Sequence, residues 1–295
     1  MIASETKTPP QAVVTTKHTS RIAWRLGRAL IYLAICVGAF LFAIPFVWML
    51  STSVKPGFEV FKVPPVWIPS TFQWDNYWTP WSQLPFLNFY KNTATMTVVD
   101  IIATVMSSSL VAFGFSRMRF RGRSFLFILV LSTMMLPSQV TPIPLYVLWS
   151  RLQLVNTLFP LMIPSFFGSA FNIFLLRQFM LTIPVQMDDA ARIDGANWWQ
   201  IYTRIILPLA SPALGVVAIY EFTFRWNDFL GPLIYLNDPK NFTVSLGLQL
   251  LNSQYVIDTQ RIMAQTTLSI IPVLVVFFVA QRYYLQGLVI TGIKG

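Results

Sequence analysis

The sequence predicts an all-α integral membrane protein with six transmembrane helices, and three observations carry that prediction. Of its 295 residues, 55% are hydrophobic and 11% charged, whereas soluble domains carry roughly 25% charged residues. The apolar residues fall into runs of about 20, the length a helix needs to cross a bilayer. The Lys and Arg residues behind the formal net charge of +10 stand at the ends of those runs. Scattered in this way they read as topology signals, not as the basic patch that nucleic-acid binding requires.

Taken in order, residues 1–28 form a polar tail, disordered over its first part by composition. Arg21, Arg25 and Arg28 precede a first span at 29–50. That run is too long and too far from the N-terminus for a signal peptide and lacks a small-residue cleavage site. Cys36, the only cysteine, lies within it, so no intrachain disulfide forms. An extracytoplasmic loop follows at 51–90, whose Trp67, Trp74, Trp78 and Trp81 suit the membrane interface. The second helix covers 92–115 and ends in Arg117, Arg119, Arg121 and Arg123. The third, 125–149, carries Pro137, Pro142 and Pro144 and is expected to kink or break there. The fourth runs over 158–181, the fifth from 206 to 226 and the sixth over about 267–280, before a C-terminal tail at 286–295. Assigned by this topology, fourteen of the 21 Lys and Arg residues lie inside. Both termini are therefore expected in the cytoplasm.

Between the fourth and fifth spans, residues 184–208 interrupt the apolar pattern with a helical grammar of their own. Thr182 is placed to cap a short helix, Pro184 suits its opening turn, and Asp188 and Asp189 lie near its N-terminal end, where the backbone dipole favours negative charge. Gly195 suits the left-handed conformation that ends a helix. Asn197 and Gln200 have the spacing of a capping box, and Trp198, Ile201, Tyr202 and Ile205 recur on one face of a second helix.

The sequence Asp189-Ala190-Ala191, then Gly195, Ile205, Leu207 and Pro208, resembles the permease signature of ABC importers: Glu-Ala-Ala, three residues, Gly, nine residues, Ile, any residue, Leu-Pro. Every spacing is kept, and Asp189 replaces the usual Glu. The resemblance extends over nearly the whole chain, through Pro45 to Lys55, Phe113 to Gly122, Leu136 to Val140, Phe174 to Phe179 and Trp226 to Phe229. The ending Thr291-Gly292-Ile293-Lys294-Gly295 is similar to that of the smaller permease subunit of maltose-type importers. The resemblance implies the type I importer (MetI-like) fold, with a core at 91–285, in a bacterial or archaeal inner membrane. It also implies a carbohydrate substrate and three kinds of partner: a second permease subunit, two ATPase subunits that bind ATP and Mg, and an extracytoplasmic solute-binding protein. By the same resemblance Asp188, Asp189, Ala190, Ala191, Asp194, Gly195, Ile205, Leu207 and Pro208 form the ATPase-coupling element.

No catalytic constellation is legible. No glycine-rich run ends in Gly-Lys-Ser or Gly-Lys-Thr, and His18, the only histidine, lies in the tail. The chain is therefore expected to be a non-catalytic subunit without a cofactor of its own. Ionisable groups inside spans are costly in lipid and mark an interior or a pathway. Asp100, Glu221 and Arg225 qualify, the last two at a spacing of four that permits pairing. Met134, Trp226, Asn227 and Asp228 complete the candidate translocation residues. Two alternatives stay open: an ABC importer permease for an amino acid, peptide or anion, and an ion-coupled transporter using Asp100 and Glu221 as carriers. The second leaves the 184–208 signature unexplained and lacks an internal repeat.

Overall fold

The computed structural model describes residues 21–137, 139–253 and 258–291. The expectations for the first part of the N-terminal tail and for the last four residues fall outside them. Every regular element among the described residues is a helix. It divides into two compact units, residues 1–48 and 49–295. The first helix, α1 (Arg21–Ser53), carries Pro45 in its interior and supplies a span of mean hydropathy 2.6 from Trp24 to Ser53.

From Met49 onwards the expected loop contains a helix of its own, α2 (Asp75–Gln83). Asn76 fixes it by donating to the carbonyls of Ser53 and Lys55, both at 3.0 Å. The four tryptophans assigned to an interfacial belt are all exposed, Trp81 the least of them at 36% because it also packs inward. Its ring stacks on Tyr90 at 5.6 Å and its indole N–H donates to Gln265 Oε1 at 3.0 Å.

Helix α3 (Phe86–Arg117) is the rod on which this unit is built. At 1.5 Å per residue its 32 residues span about 48 Å. Its two ends enter separate apolar cores. Phe86, Phe89 and Met96 pack with Trp149, Tyr235 and Phe242 at one end, and Ala112 and Phe113 pack with Leu176, Met180, Ile201 and Ile206 at the other. Between the cores α3 buries a polar belt that includes Thr97, Asp100, Thr104, Ser108 and Ser109. Polar groups at this depth have no water to return to, so the belt must find partners inside the protein.

The expected third span is broken, as its prolines require, into α4 (Arg123–Ser132), a 3-10 turn (Thr133–Met135) and α5 (Pro142–Arg151). The fourth is also interrupted. Helix α6 (Phe159–Met162) passes into a 3-10 turn (Ile163–Phe167) before α7 (Ala170–Thr182). Gly168 makes the break at φ +79°, where an added Cβ would lie 3.3 Å from Ile173 Cδ1 and from Ser108 Oγ. The break brings Ser165 to the buried belt of α3: Ser107 Oγ donates to its carbonyl at 3.1 Å.

After α8 (Gln186–Ile193) and α9 (Trp198–Ile201), a π-turn (Tyr202–Ile206) and α10 (Leu207–Leu209) lead into α11 (Ser211–Trp226). The fifth span thus begins in the 184–208 element itself, and the segments before and after Ala210 meet at 75°. Pro208 and Pro212 remove two amides from the helical ladder at that bend. Helices α12 (Leu230–Tyr235) and α13 (Val244–Ser253) close the far end. The last, α14 (Thr259–Thr291), extends beyond the expected 267–280 at both ends; polar Gln260, Arg261 and Gln265 lower the hydropathy of its first turns and hide that start in the sequence. Gln265 is wholly buried and donates to the Tyr77 carbonyl at 2.9 Å. Among the described residues four helices, including the composite Phe159–Thr182, are long and apolar enough to cross a membrane; the bent pair makes a fifth, and Arg123–Met135, where the expected third span lies, is a shorter apolar helix.

Candidate functional site

The 184–208 element is an elbow clamped by one face of α3. Its first helix opens at Gln186, not at Pro184, and Thr182 does not cap it. The Thr182 hydroxyl instead donates back to the Phe179 carbonyl at 2.7 Å, closing α7. Gly195 turns the chain at φ +84°. The capping box beyond it is complete: Gln200 N–H donates to Asn197 Oδ1, and Asn197 N–H to Gln200 Oε1, both at 2.9 Å.

Asp188 and Asp189 have different environments although they are adjacent. Asp189 is exposed with Ala190, Asp194 and Gly195, whereas Ala191 is half-buried and Asp188 is buried. Asp188 Oδ2 lies 3.2 Å from Arg117 Nε, and Arg117 Nη2 donates to the Ile183 carbonyl at 2.9 Å. Burial pushes the Asp188 carboxyl above its ordinary pKa; the Arg117 charge opposes that shift and neighbouring Asp189 adds to it. Ser109, Phe113 and Arg117, four residues apart on α3, all grip the elbow. Ser109 and Tyr202 share a hydroxyl hydrogen bond at 2.7 Å, and the Phe113 ring lies 5.2 Å from that of Tyr202.

The face expected from Trp198, Ile201, Tyr202 and Ile205 needs correction. Ile201, Tyr202 and Ile206 are buried, Ile205 only partly so, and Trp198 is 39% exposed. The π-turn over 202–206 inserts an extra residue per turn, which rotates Ile206 into the place a regular helix would give Ile205. Leu207 packs partly against the same core, and Pro208 is exposed at the bend.

About 25 Å along α3 from Arg117, Asp100 joins a second assembly. Arg225 Nε lies 3.0 Å from both Glu221 Oε1 and Asp100 Oδ2. The hydrogen bond goes to Glu221. Asp100 is held by charge, and its two buried oxygens have no hydrogen-bond partner among the described residues. Arg225 Nη2 donates to Ser165 Oγ at 3.1 Å, and its Nη1 stands 3.8 Å from Asp228. Three carboxylates thus surround one guanidinium beside a cleft of about 250 Å³, whose lining includes Thr104, Ser169, Tyr220 and Phe224.

The other candidate pathway residues do not line that cleft. Trp226 is buried and donates to the Ser269 carbonyl at 3.0 Å, joining α11 to α14. Asn227 donates to the Thr223 carbonyl at 2.8 Å and closes α11, while Asp228 accepts from the Gly231 amide at 3.0 Å. Met134 is 51% exposed in the 3-10 turn after α4. Sequence reasoning missed Ser165 and the Arg117–Asp188 pair. Ser165 carries no local signal, but Thr97, Asp100 and Thr104 recur at spacings of three and four, so the buried stripe around Asp100 was readable.

Residues 103–289 match the family model described as the binding-protein-dependent transport system inner membrane component. The chain is 32% identical over 260 residues to the arabinooligosaccharides transport system permease protein AraQ of Halalkalibacterium halodurans, covering 87% of this chain and 93% of that one. It is 30% identical over 264 residues to the lactose transport system permease protein LacG of Rhizobium radiobacter, covering 90% and 96%. Among solved structures, a chain of a bacterial ABC transporter involved in the import of the acidic polysaccharide alginate superposes with a TM-score of 0.79 at 25% identity, covering 91% of this chain and all of that one. A family match across more than half the sequence, on an all-helical fold that superposes end to end on an importer chain, makes this protein a member of the inner membrane components of binding-protein-dependent transport systems.

Proposed function

We propose that the chain is a permease subunit of an ATP-driven carbohydrate importer, providing half of the membrane pathway and taking its energy from a separate ATPase through the 184–208 elbow. The observation that carries this reading is the elbow itself: a signature-bearing helix, a left-handed glycine and a capped second helix continuous with a span. Such a rigid connection converts a push on α8 into rotation of α11. Asp189, Ala190, Asp194 and Gly195, on the exposed surface, meet the ATPase, and Asp188 transmits the load to α3. The carbohydrate assignment is supported by the similarity to the arabinooligosaccharide and lactose permeases.

In this reading the elbow and both termini are cytoplasmic. A second permease subunit, two ATPase subunits holding ATP and Mg, and an extracytoplasmic binding protein complete the machine. The chain itself needs no cofactor and performs no hydrolysis. The cleft beside Glu221 and Arg225 belongs to the pathway, its Tyr220 and Phe224 rings offering faces on which a sugar can slide. The test is uptake of labelled arabinooligosaccharide and lactose into proteoliposomes holding the complete complex with its binding protein. Uptake that requires ATP inside and is lost in Asp189→Lys, with the complex still assembled, is the expected result. Uptake without any ATPase subunit would overturn the reading.

A further inference from the structure

A cleft of about 580 Å³ separates the elbow from the α3–α4 connection, and its lining includes Arg117, Arg119, Arg123, Arg192, Asp188 and Asp189. Four guanidiniums face two carboxylates there. Arg117 and Asp188 pair with each other at 3.2 Å, which neutralises one guanidinium against one carboxylate. Arg119 and Arg192 meet no carboxylate at ion-pair distance among the described residues, and Arg123 gives one N–H to the Met118 carbonyl at 3.1 Å. The cleft therefore holds excess positive charge with donors to spare.

Helical phase says which way it faces. Asp188, Asp189 and Arg192, with Val185 just before the helix, line one side of α8 at helical spacing. Ala190 lies round the helix from Asp188 and Arg192, while Ile193, 87% exposed and four residues after Asp189, stands beside the edge of that side. The cleft thus lies between the elbow and the ends of α3 and α4, and Asp189 is the one lining residue it shares with the surface proposed to meet the ATPase. Two features place it at the membrane surface: it is closed by the terminal residue of the 32-residue α3 and the first residue of α4, and it is flanked by the half-exposed aromatic Trp198.

The geometry points to this cleft as a binding site for the phosphate headgroup of an anionic phospholipid, held by Arg119, Arg123 and Arg192 between the elbow and the α3–α4 turn. Arginine suits the role because its planar fork can hold two oxygens of one phosphate, and basic pockets between membrane helices at the cytoplasmic surface recognise such headgroups. A lipid seated there wedges the back of the elbow and holds its angle to α3. The inference goes beyond the carbohydrate reading and shares with it only the orientation of the elbow.

The test uses the assembled complex in nanodiscs of phosphatidylcholine containing about one-third phosphatidylglycerol, followed by native mass spectrometry of the lipids it retains. The wild-type complex is expected to keep phosphatidylglycerol in preference to phosphatidylcholine. The Arg119→Gln/Arg123→Gln complex is expected to retain it roughly thirty-fold less, and Arg119→Lys/Arg123→Lys to keep most of it. Equal retention of the two lipids by the wild type, which needs no variant to fold, would overturn the proposal, as would unchanged retention in the Gln pair. Displacement of the lipid by inorganic phosphate at matched concentration would overturn the lipid assignment in favour of a general anion site. An Ile193→Cys variant that reacts with an impermeant thiol reagent only from the extracytoplasmic side would sink the transport reading while leaving the retention result standing.

Discussion

Arg117, the last residue of α3, holds Asp188 of the elbow at 3.2 Å, with their side chains 2% and 5% exposed. One buried ion pair therefore joins the helix that runs through both apolar cores to the element that carries the permease signature. A charge pair out of water is worth little against an apolar replacement but is costly to break, because the survivor is left buried and unpaired.

Arg117→Met, which leaves the buried Asp188 carboxyl without its charge partner, is expected to lower the stability of the complex by about 3 kcal/mol and to uncouple ATP hydrolysis from uptake. Arg117→Met/Asp188→Leu is expected to recover stability but not coupling. Thermal unfolding with paired uptake and ATPase assays measures both; a single Arg117→Met variant as stable as wild type would show that the pair bears no load.

Arg225 is the lone cation among Asp100, Glu221 and Asp228. Arg225→Met therefore leaves three carboxylates facing one another and is expected to cost about 3 to 5 kcal/mol, with loss of assembly. Asp100→Asn removes one of three anions and is expected to be milder. Size-exclusion chromatography of the solubilised complexes ranks the two, and the reverse order would refute this account of the cluster.

No atom lies within 4 Å of the position a Cβ would take at Gly195, so its φ of +84° is the only obstacle to substitution. Gly195→Ala is expected to cost about 1 kcal/mol, Gly195→Asn less, and Gly195→Pro to break the elbow. The order Asn, Ala, Pro in residual uptake is the measurable outcome.

The π-turn makes adjacent isoleucines unequal. Ile206→Ala empties a fully buried site and is expected to cost about 3 kcal/mol, whereas Ile205→Ala, at a half-buried site, is expected to cost about 1 kcal/mol. Melting temperatures of the two purified complexes test this, and equal losses would count against the shifted register.

Two acids outside the spans should respond to pH with opposite signs. The hydroxyl of Ser70 donates to Glu59, and its amide does so at 3.2 Å; these bonds hold the Glu59 carboxyl below its ordinary pKa against the opposing effect of burial. Its stabilisation is present above about pH 4.3 and is lost as pH falls through the lower folded value. Asp188, raised by burial, works the other way: its contribution is full below about pH 3.9 and declines as pH rises through the folded value. Protease protection of the 51–90 loop and of the elbow, followed against pH in wild type, Ser70→Ala and Asp188→Asn, separates the two.

The sequence by itself determined the helical class, the long apolar spans, the break at Pro137 to Pro144 and the elbow, since each depends on hydropathy, ring geometry or capping within a few residues. The Asn197–Gln200 box and the Gly195 turn are local chemistry of that kind. Only the tertiary structure decided which charges meet. Arg117 reads in sequence as one of four topological arginines, yet it is the buried partner of Asp188. Arg225 reads as the partner of Glu221, yet α3 packing adds Asp100 and the Gly168 break adds Ser165. The exchange of Ile205 for Ile206 and the role of Trp81 were hidden for the same reason. A side chain's partner across the fold is set by how helices rotate and cross, and no periodicity within one helix records that angle.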